Sequence, residues 1–216
     1  MMMIKKDNFH LPWWKSKFIV LDLEGTGAQH KENEGIVEIA AIEINEKKLT
    51  KNFYYKLINP QIDVPPMISR IHGLKNKDLE HEPIFDEIKI DLFNFINNKI
   101  LVGHNVNIDY RLLKIKMPNY EPPLILDTKK LSKHFWGDTS KHGLDDLIKR
   151  FHIQNELKDL PIKRNRHSAF YDAYATGVVF LNILKEKFPD NTSLKIVANI
   201  CSMQPKSNKY DQTALF

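Results

Sequence analysis

The sequence predicts a single α/β domain built on a mixed sheet flanked by helices, and three observations carry that expectation. Residues 18–58 hold three strand-like apolar segments in succession, joined by polar connections. Residues 84–151 then alternate helical periodicity with two short apolar runs. Residues 168–188 carry the longest helical pattern, apolar at Ala169, Tyr171, Ala175, Val178, Val179, Leu181, Ile183 and Leu184.

In order, residues 1–17 read as an N-terminal extension, with Pro12-Trp13-Trp14 as its anchor against the core. The first strand spans about 18–23, a second 36–44 and a third 49–58. Short connections make these an antiparallel meander with the first strand at its inner side. Asn59-Pro60 and Pro65-Pro66 break the pattern. Two short helical turns are expected within 67–79, around Ile71-His72-Gly73, and a helix over 84–97. Residues 100–103 form a short buried strand, followed by a helix over 107–116 that stops before Pro118. Residues 124–126 give another short strand, with Asp127 or Thr128 capping the next helix. A further helix covers 141–151. The domain proper is assigned to 18–188. Residues 189–216 form a C-terminal extension, with a short helix over 193–203 and a flexible tail.

Composition sets bounds. A chain of 216 residues with 42% hydrophobic and 27% charged residues suits one soluble globular domain. No apolar run approaches the length of a membrane span, and the N-terminus lacks a signal-peptide pattern. The single cysteine, Cys201, fits a reducing, cytoplasmic setting. A formal charge of +5 leaves a surface compatible with a polyanion.

The chemistry concentrates at the end of the first strand, Phe18-Ile19-Val20-Leu21-Asp22-Leu23-Glu24-Gly25-Thr26-Gly27. Side chains alternate along a strand, so Asp22 and Glu24 share one face and Leu23 takes the other. Two acids side by side at a buried strand end repel each other and lose hydration. They are either a solvated strand end or half of a site for a hard divalent cation such as Mg²⁺. Two further acids are placed to join them. Asp109, in His104-Asn105-Val106-Asn107-Ile108-Asp109, falls in the first turn of a helix, where an acid is favoured in any case. Asp172 sits among Tyr171, Ala173 and Ala175 on the long final helix, where an unpaired carboxylate is costly. Five residues turn about 140° on a helix, so His167 points with Asp172 only from a segment leading into it. That segment, residues 158–166, is basic and contains Pro161, which suits a loop that moves.

These segments resemble the three motifs of the DEDDh family of 3′→5′ exonucleases, on a ribonuclease H-like fold, over about residues 18–187. Asp22-x-Glu24 resembles the first motif, His104-Asn105-x-x-x-Asp109 the second, and His167-x-Ala169-x-x-Asp172-Ala173 the third. Val37-Glu38-Ile39-Ala40, Asn59-Pro60, Ile71-His72-Gly73 and Asp127-Thr128 also fit. The family commonly has Thr-Thr-Gly after the first-motif glutamate; this chain has Gly25-Thr26-Gly27. The resemblance implies two divalent ions, Mg²⁺ or Mn²⁺, roughly 4 Å apart. Asp22, Glu24, Asp109 and Asp172 would hold them, and His167 would act as general base. It implies substrate contacts from Thr26 and Gly27, with Leu23 and His72 either touching the terminal base or simply packing. His104 and Asn105 would support the site.

The family includes DNA proofreaders, such as the epsilon subunit of bacterial DNA polymerase III, and RNA-trimming enzymes such as oligoribonuclease and ribonuclease T. The four acids and the histidine do not separate DNA from RNA. The terminal Gln212-Thr213-Ala214-Leu215-Phe216 resembles a sliding-clamp-binding peptide, with Thr213 where leucine is usual. Gln212, Leu215 and Phe216 would be its anchors, which favours a DNA exonuclease linked to a clamp, in proofreading or repair. The stretch after the domain is short for a polymerase-binding tail, so a stand-alone or accessory enzyme is a second expectation. A catalytically silent nucleic-acid-binding module would require loss of acids, and none is missing.

Overall fold

The computed structural model describes residues 9–27 and 34–203. Gln212, Leu215 and Phe216 therefore lie outside the described residues.

Five strands form one sheet in the order β3-β2-β1-β4-β5. They are β1 (Phe18–Gly25), β2 (Ile36–Asn45), β3 (Lys48–Leu57), β4 (Ile100–Gly103) and β5 (Ile125–Asp127). The first three pair antiparallel, whereas β1–β4 and β4–β5 are parallel. The expected mixed sheet is therefore present, with β1 in the middle. Its pairing is uneven along its length. β2 accompanies β1 to its end, but β4 pairs only with Phe18, Ile19 and Val20. From Leu21 onward β1 has a sheet neighbour on one side alone.

Eight α-helices lie among the described residues: α1 (Pro66–His72), α2 (Asn76–Leu79), α3 (Phe85–Ile96), α4 (Asn107–Lys116), α5 (Thr128–Trp136), α6 (Leu144–Arg150), α7 (Ala169–Lys187) and α8 (Leu194–Cys201). Most match the periodicity to within a residue or two. The helix expected from residue 141 starts at Leu144, because His142 is buried in the preceding loop. Its ring bonds to Ser132 Oγ at 2.9 Å and to the Gly137 carbonyl at 2.7 Å. Asp127 is the cap of α5, its Oδ1 accepting the Lys129 and Lys130 amides.

The alternation of β1 divides the core in two. Phe18 and Val20 face the layer of α5, α6, α7 and α8, together with Trp13. Ile19, Leu21 and Leu23 face α3 and α4. The end of β1 is thus approached by α7 on one face and α4 on the other. Residues on both flanks of the domain join the same core. Trp13 is buried, its amide donates to the Thr192 carbonyl at 3.0 Å, and its ring packs on Phe18. Trp14 instead donates its indole N–H to the Asp190 carbonyl at 2.9 Å.

Candidate active site

At the end of β1 the structure gathers the acids the sequence singles out. Ligand oxygens of Asp22, Glu24 and Asp172 lie within 4.8 Å of one another. Asp22 and Glu24 arrive from β1, and Asp172 from the first turn of α7, where the helix dipole favours an anion. Asp109 joins from the first turn of α4, buried, with its Oδ1 accepting the Leu23 amide at 3.0 Å. That amide lies on the stretch of β1 that has no β4 partner, so the carboxylate takes the place of a missing ladder bond.

Such an arrangement is electrostatically unfavourable without a cation. Two carboxylates within 4.8 Å of each other repel by at least roughly 3 kcal/mol at an effective dielectric of about 20. The proton affinities follow. Burial, then the charges of Asp109, Asp172 and Glu24, push the Asp22 carboxyl well above its usual range. Burial, then Asp172, Glu38 and Asp109, raise Glu24 to about 8. Burial lifts Asp109 to about 7 against the pull of the Leu23 amide. Asp172 rises to about 6, again through burial, with Arg166 opposing the rise. A hard divalent cation fits here: the donors are all carboxylate oxygens, and Asp172 Oδ1 is buried with no hydrogen-bond partner.

The second oxygen of Asp172 is not free. Arg166 binds it through Nη1, holds Asp145 through Nε, and donates to His167 Nδ1 at 3.2 Å. Arg166 thus supplies part of the missing positive charge. His167 is exposed, just before α7, with a left-handed φ of 63°. Burial and then the Arg166 charge lower its pKa. The loop expected to be mobile is fastened by a second arginine as well. Arg164 approaches both carboxylate oxygens of Glu38 at 3.4 Å and donates to the His72 carbonyl at 3.0 Å. Glu38 is fully buried, faces Glu24 across the β1–β2 ladder, and accepts the Tyr55 hydroxyl at 2.8 Å.

The other site residues have local duties. Thr26 is buried; its amide donates to the Gly35 carbonyl at 2.9 Å and its Oγ1 accepts the Gly35 amide at 3.0 Å. Both contacts close the turn between β1 and β2, so the Thr26 amide is spent on the protein itself. Gly27 has a φ of 77°, and a Cβ there would meet Ile68 of α1 at 2.7 Å. Leu23 packs its side chain toward α3 and α4. His72 is buried at the end of α1; its Nδ1 accepts the Leu74 amide at 3.1 Å, and its Nε2 has no partner. His104 bonds through Nδ1 to Thr128 Oγ1 at 2.8 Å. The Thr128 hydroxyl also lies 3.1 Å from the Gly103 carbonyl oxygen. Burial lowers the His104 pKa to about 4, which makes it a neutral support. Asn105 takes a left-handed φ of 60°, and its amide donates to Asp127 Oδ1 at 3.1 Å.

The sequence reading gave no site role to Arg164, Arg166, Asp145 or Glu38. Glu38 carried a usable signal, an acid within the apolar run 36–44. The arginines read only as part of a basic loop, and their partners come from distant segments.

Three carboxylates within 4.8 Å of one another on a mixed sheet, with Asp109 outside that group but beside them and His167 ahead of α7, are a donor set suited to a divalent cation. The exonuclease family (RNase_T) model matches residues 19–180, and the chain belongs to that family. The epsilon subunit of DNA polymerase III from Rickettsia conorii is 30% identical over 213 residues, covering 91% of this chain and 87% of that protein. The PolC-type DNA polymerase III of Caldanaerobacter subterraneus is 31% identical over 175 residues, but the match spans 80% of this chain and only 12% of that protein. The match to the 3′-5′ exonuclease DinG of Bacillus subtilis, 30% identical, spans 18% of that protein. Among solved structures, exonuclease X in complex with 5′-overhanging duplex DNA superposes with a TM-score of 0.67 at 24% identity, covering 85% of this chain and 98% of that one. The nuclease domain of 3′hExo, described as a DEDDh family member bound to rAMP, gives 0.64 at 13% identity, covering 83% and 98%. These likenesses identify the sheet as the ribonuclease H-like fold.

The raised carboxyl pKa values set a direction for stability. The folded cage keeps protons that the unfolded chain releases above about pH 4. Its contribution is therefore complete in acid and is lost as pH rises through about 6 to 8, the values for Asp172, Asp109 and Glu24. Thermal melts in EDTA should show the melting temperature falling from pH 5 to pH 8. Asp22→Asn should flatten that fall, and excess Mg²⁺ should restore stability at pH 8. A melting temperature independent of both pH and Mg²⁺ would contradict this reading of the cage.

Proposed function

We propose that this protein is a metal-dependent 3′→5′ exonuclease that removes nucleotides from DNA 3′ ends by phosphodiester hydrolysis. The observation that carries the reading is the convergence of Asp22, Glu24 and Asp172 within 4.8 Å, with Asp109 beside them. Bound divalent ions, Mg²⁺ or Mn²⁺, would polarise the scissile phosphate and stabilise the charge that builds on the attacking and leaving oxygens. The four carboxylates would hold those ions. His167 would accept the proton of the attacking water, a role its neutral, exposed imidazole suits at neutral pH. To act through Nε2 it needs its proton on Nδ1, the atom Arg166 now donates to. Release of that contact therefore belongs to the working cycle. Thr26, Gly27 and Leu23 would contact the 3′-terminal nucleotide, Thr26 and Gly27 from the chain directly after Glu24. His72 is buried and its Nε2 has no hydrogen-bond partner, which favours packing over contact with the terminal base.

DNA is favoured over RNA by the epsilon relative, whose match extends over most of both chains. The RNA reading keeps a specific support, the neighbour whose nuclease domain is bound to rAMP. Association with a polymerase is proposed from the same epsilon likeness, and docking to a sliding clamp from Gln212, Leu215 and Phe216.

End-labelled single-stranded DNA, mismatched duplex and RNA of one sequence, each with Mg²⁺ and with Mn²⁺, test the substrate. The expected order is mismatched or single-stranded DNA ahead of RNA, and faster RNA trimming would reverse the assignment. Asp22→Ala or Asp172→Ala should abolish cleavage with the fold retained by circular dichroism. His167→Ala should lower kcat by about 10²- to 10⁴-fold with a smaller change in metal affinity. Removal of residues 212–216 should eliminate clamp binding in a calorimetric titration and leave oligonucleotide cleavage unchanged. Equal clamp binding by the truncated chain would dispose of the tail assignment.

A further inference from the structure

Gly25 follows the site residue Glu24 directly, at a point where β1 and β2 slip in register. Its backbone is not among those with positive φ, so conformation does not demand a glycine there. Space does. A Cβ at residue 25 would lie 2.9 Å from Glu34 Oε1, 3.2 Å from the Gly35 carbonyl oxygen and 3.2 Å from Leu112 Cδ2. A methyl group so placed displaces a carboxylate, a strand backbone or a helix side chain.

The carboxylate is itself held. Glu34 is only 7% exposed, and Arg111 Nη2 on α4 donates to its Oε2 at 2.5 Å. Leu112, the next residue of α4, packs on the same spot. Arg111 is two residues beyond Asp109, and Gly25 one residue beyond Glu24. The Glu34–Arg111 pair thus ties the approach to β2 to α4, and it lies against the end of β1 at the spot where residue 25 has no side chain. The end of β1 is bound to this part of α4 by the hydrogen bond from the Leu23 amide to Asp109. That tie uses a site carboxylate as its acceptor and leaves one oxygen fewer for a cation.

We propose that Glu34 and Arg111 are positioning residues, a clasp that sets how closely Asp109 approaches Glu24, with Gly25 the residue that makes room for it. The proposal rests on the assignment of Asp22, Glu24, Asp109 and Asp172 to divalent-ion binding. The Glu34 carboxylate fills the space a larger residue 25 would take. The departure from Thr-Thr-Gly and the buried ion pair are therefore one feature. Restoring a side chain at 25 in the presence of Glu34 pushes α4 away from β1 and spreads the cage.

The test is Mn²⁺ binding to the full chain, followed by calorimetry and independent of turnover. Glu34→Ala and Arg111→Lys should each weaken binding by about 10-fold, in the range of outer-sphere partners of metal ligands. Glu34→Gln, isosteric with the native residue, carries the test should Glu34→Ala fail to fold. Gly25→Ala should also weaken binding, and its effect should shrink in the Glu34→Ala background, because the nearest of the three obstructing atoms is gone. Wild-type affinity in both Glu34 variants, or simple additivity in the double variant, overturns the clasp. Asp22→Asn separates this failure from failure of the site. Retained Mn²⁺ binding in that variant overturns the assignment of the acids, whatever the Glu34 variants do.

Discussion

Mutual repulsion of carboxylates at the end of one buried strand is the constraint on which the rest of this structure depends. The fold supplies the scaffold by ordinary means, two apolar layers on a five-stranded sheet. It then spends stability by bringing acids from β1, α4 and α7 to a single point. Every unusual contact nearby offsets that cost. Arg166 lends positive charge to Asp172, the Leu23 amide binds Asp109, and the α7 dipole favours Asp172. None of these neutralises the cluster, as the raised proton affinities of Asp22, Glu24 and Asp109 show. A site left under-neutralised by its own protein is one prepared for a cation from solution.

The same constraint explains the arginine loop ahead of α7. Arg164 and Arg166 sit two residues apart and point to different acids, Glu38 on β2 and Asp172 on α7. Between them they fasten the segment that ends in His167. Because Arg166 touches both Asp172 and His167, charge at the cage and the orientation of the imidazole are coupled through one guanidinium. Displacing that guanidinium from Asp172 would also free the histidine ring.

Much of this was legible in the sequence, for reasons that differ by element. Alternation along Phe18–Gly25 put Asp22 and Glu24 on one face and Leu23 on the other, and the two core layers follow that division. The apolar spacing over Ala169–Lys187 put Asp172 on the long final helix, and the helix Asn107–Lys116, between a short strand and Pro118, put Asp109 on a first turn. The partners of those acids could not be read. Arg166 reaches Asp145 from 21 residues away, Arg164 reaches Glu38 from 126, and Arg111 reaches Glu34 from 77. Such pairings depend on how the sheet folds back, and local periodicity says nothing of them. Thr26 and His72 were legible as positions but not as contacts, since the Gly35 strand entry and the Leu74 amide claim them only in three dimensions.

The uneven pairing of β1 has a consequence for solubility as well as chemistry. A strand that keeps a neighbour on one side only is an edge, and an edge invites another chain to add on. Beyond Val20, β1 is an edge strand in the middle of a sheet. Lysines, prolines and bulges usually blunt such edges. Here Asp109 occupies the Leu23 amide, and the bulge at Glu24 and Gly25 turns the strand end aside. Asp22 and Glu24 make any intruding backbone share an acidic, ion-hungry pocket. The acids gathered at the cage are thus also the groups that occupy this open edge.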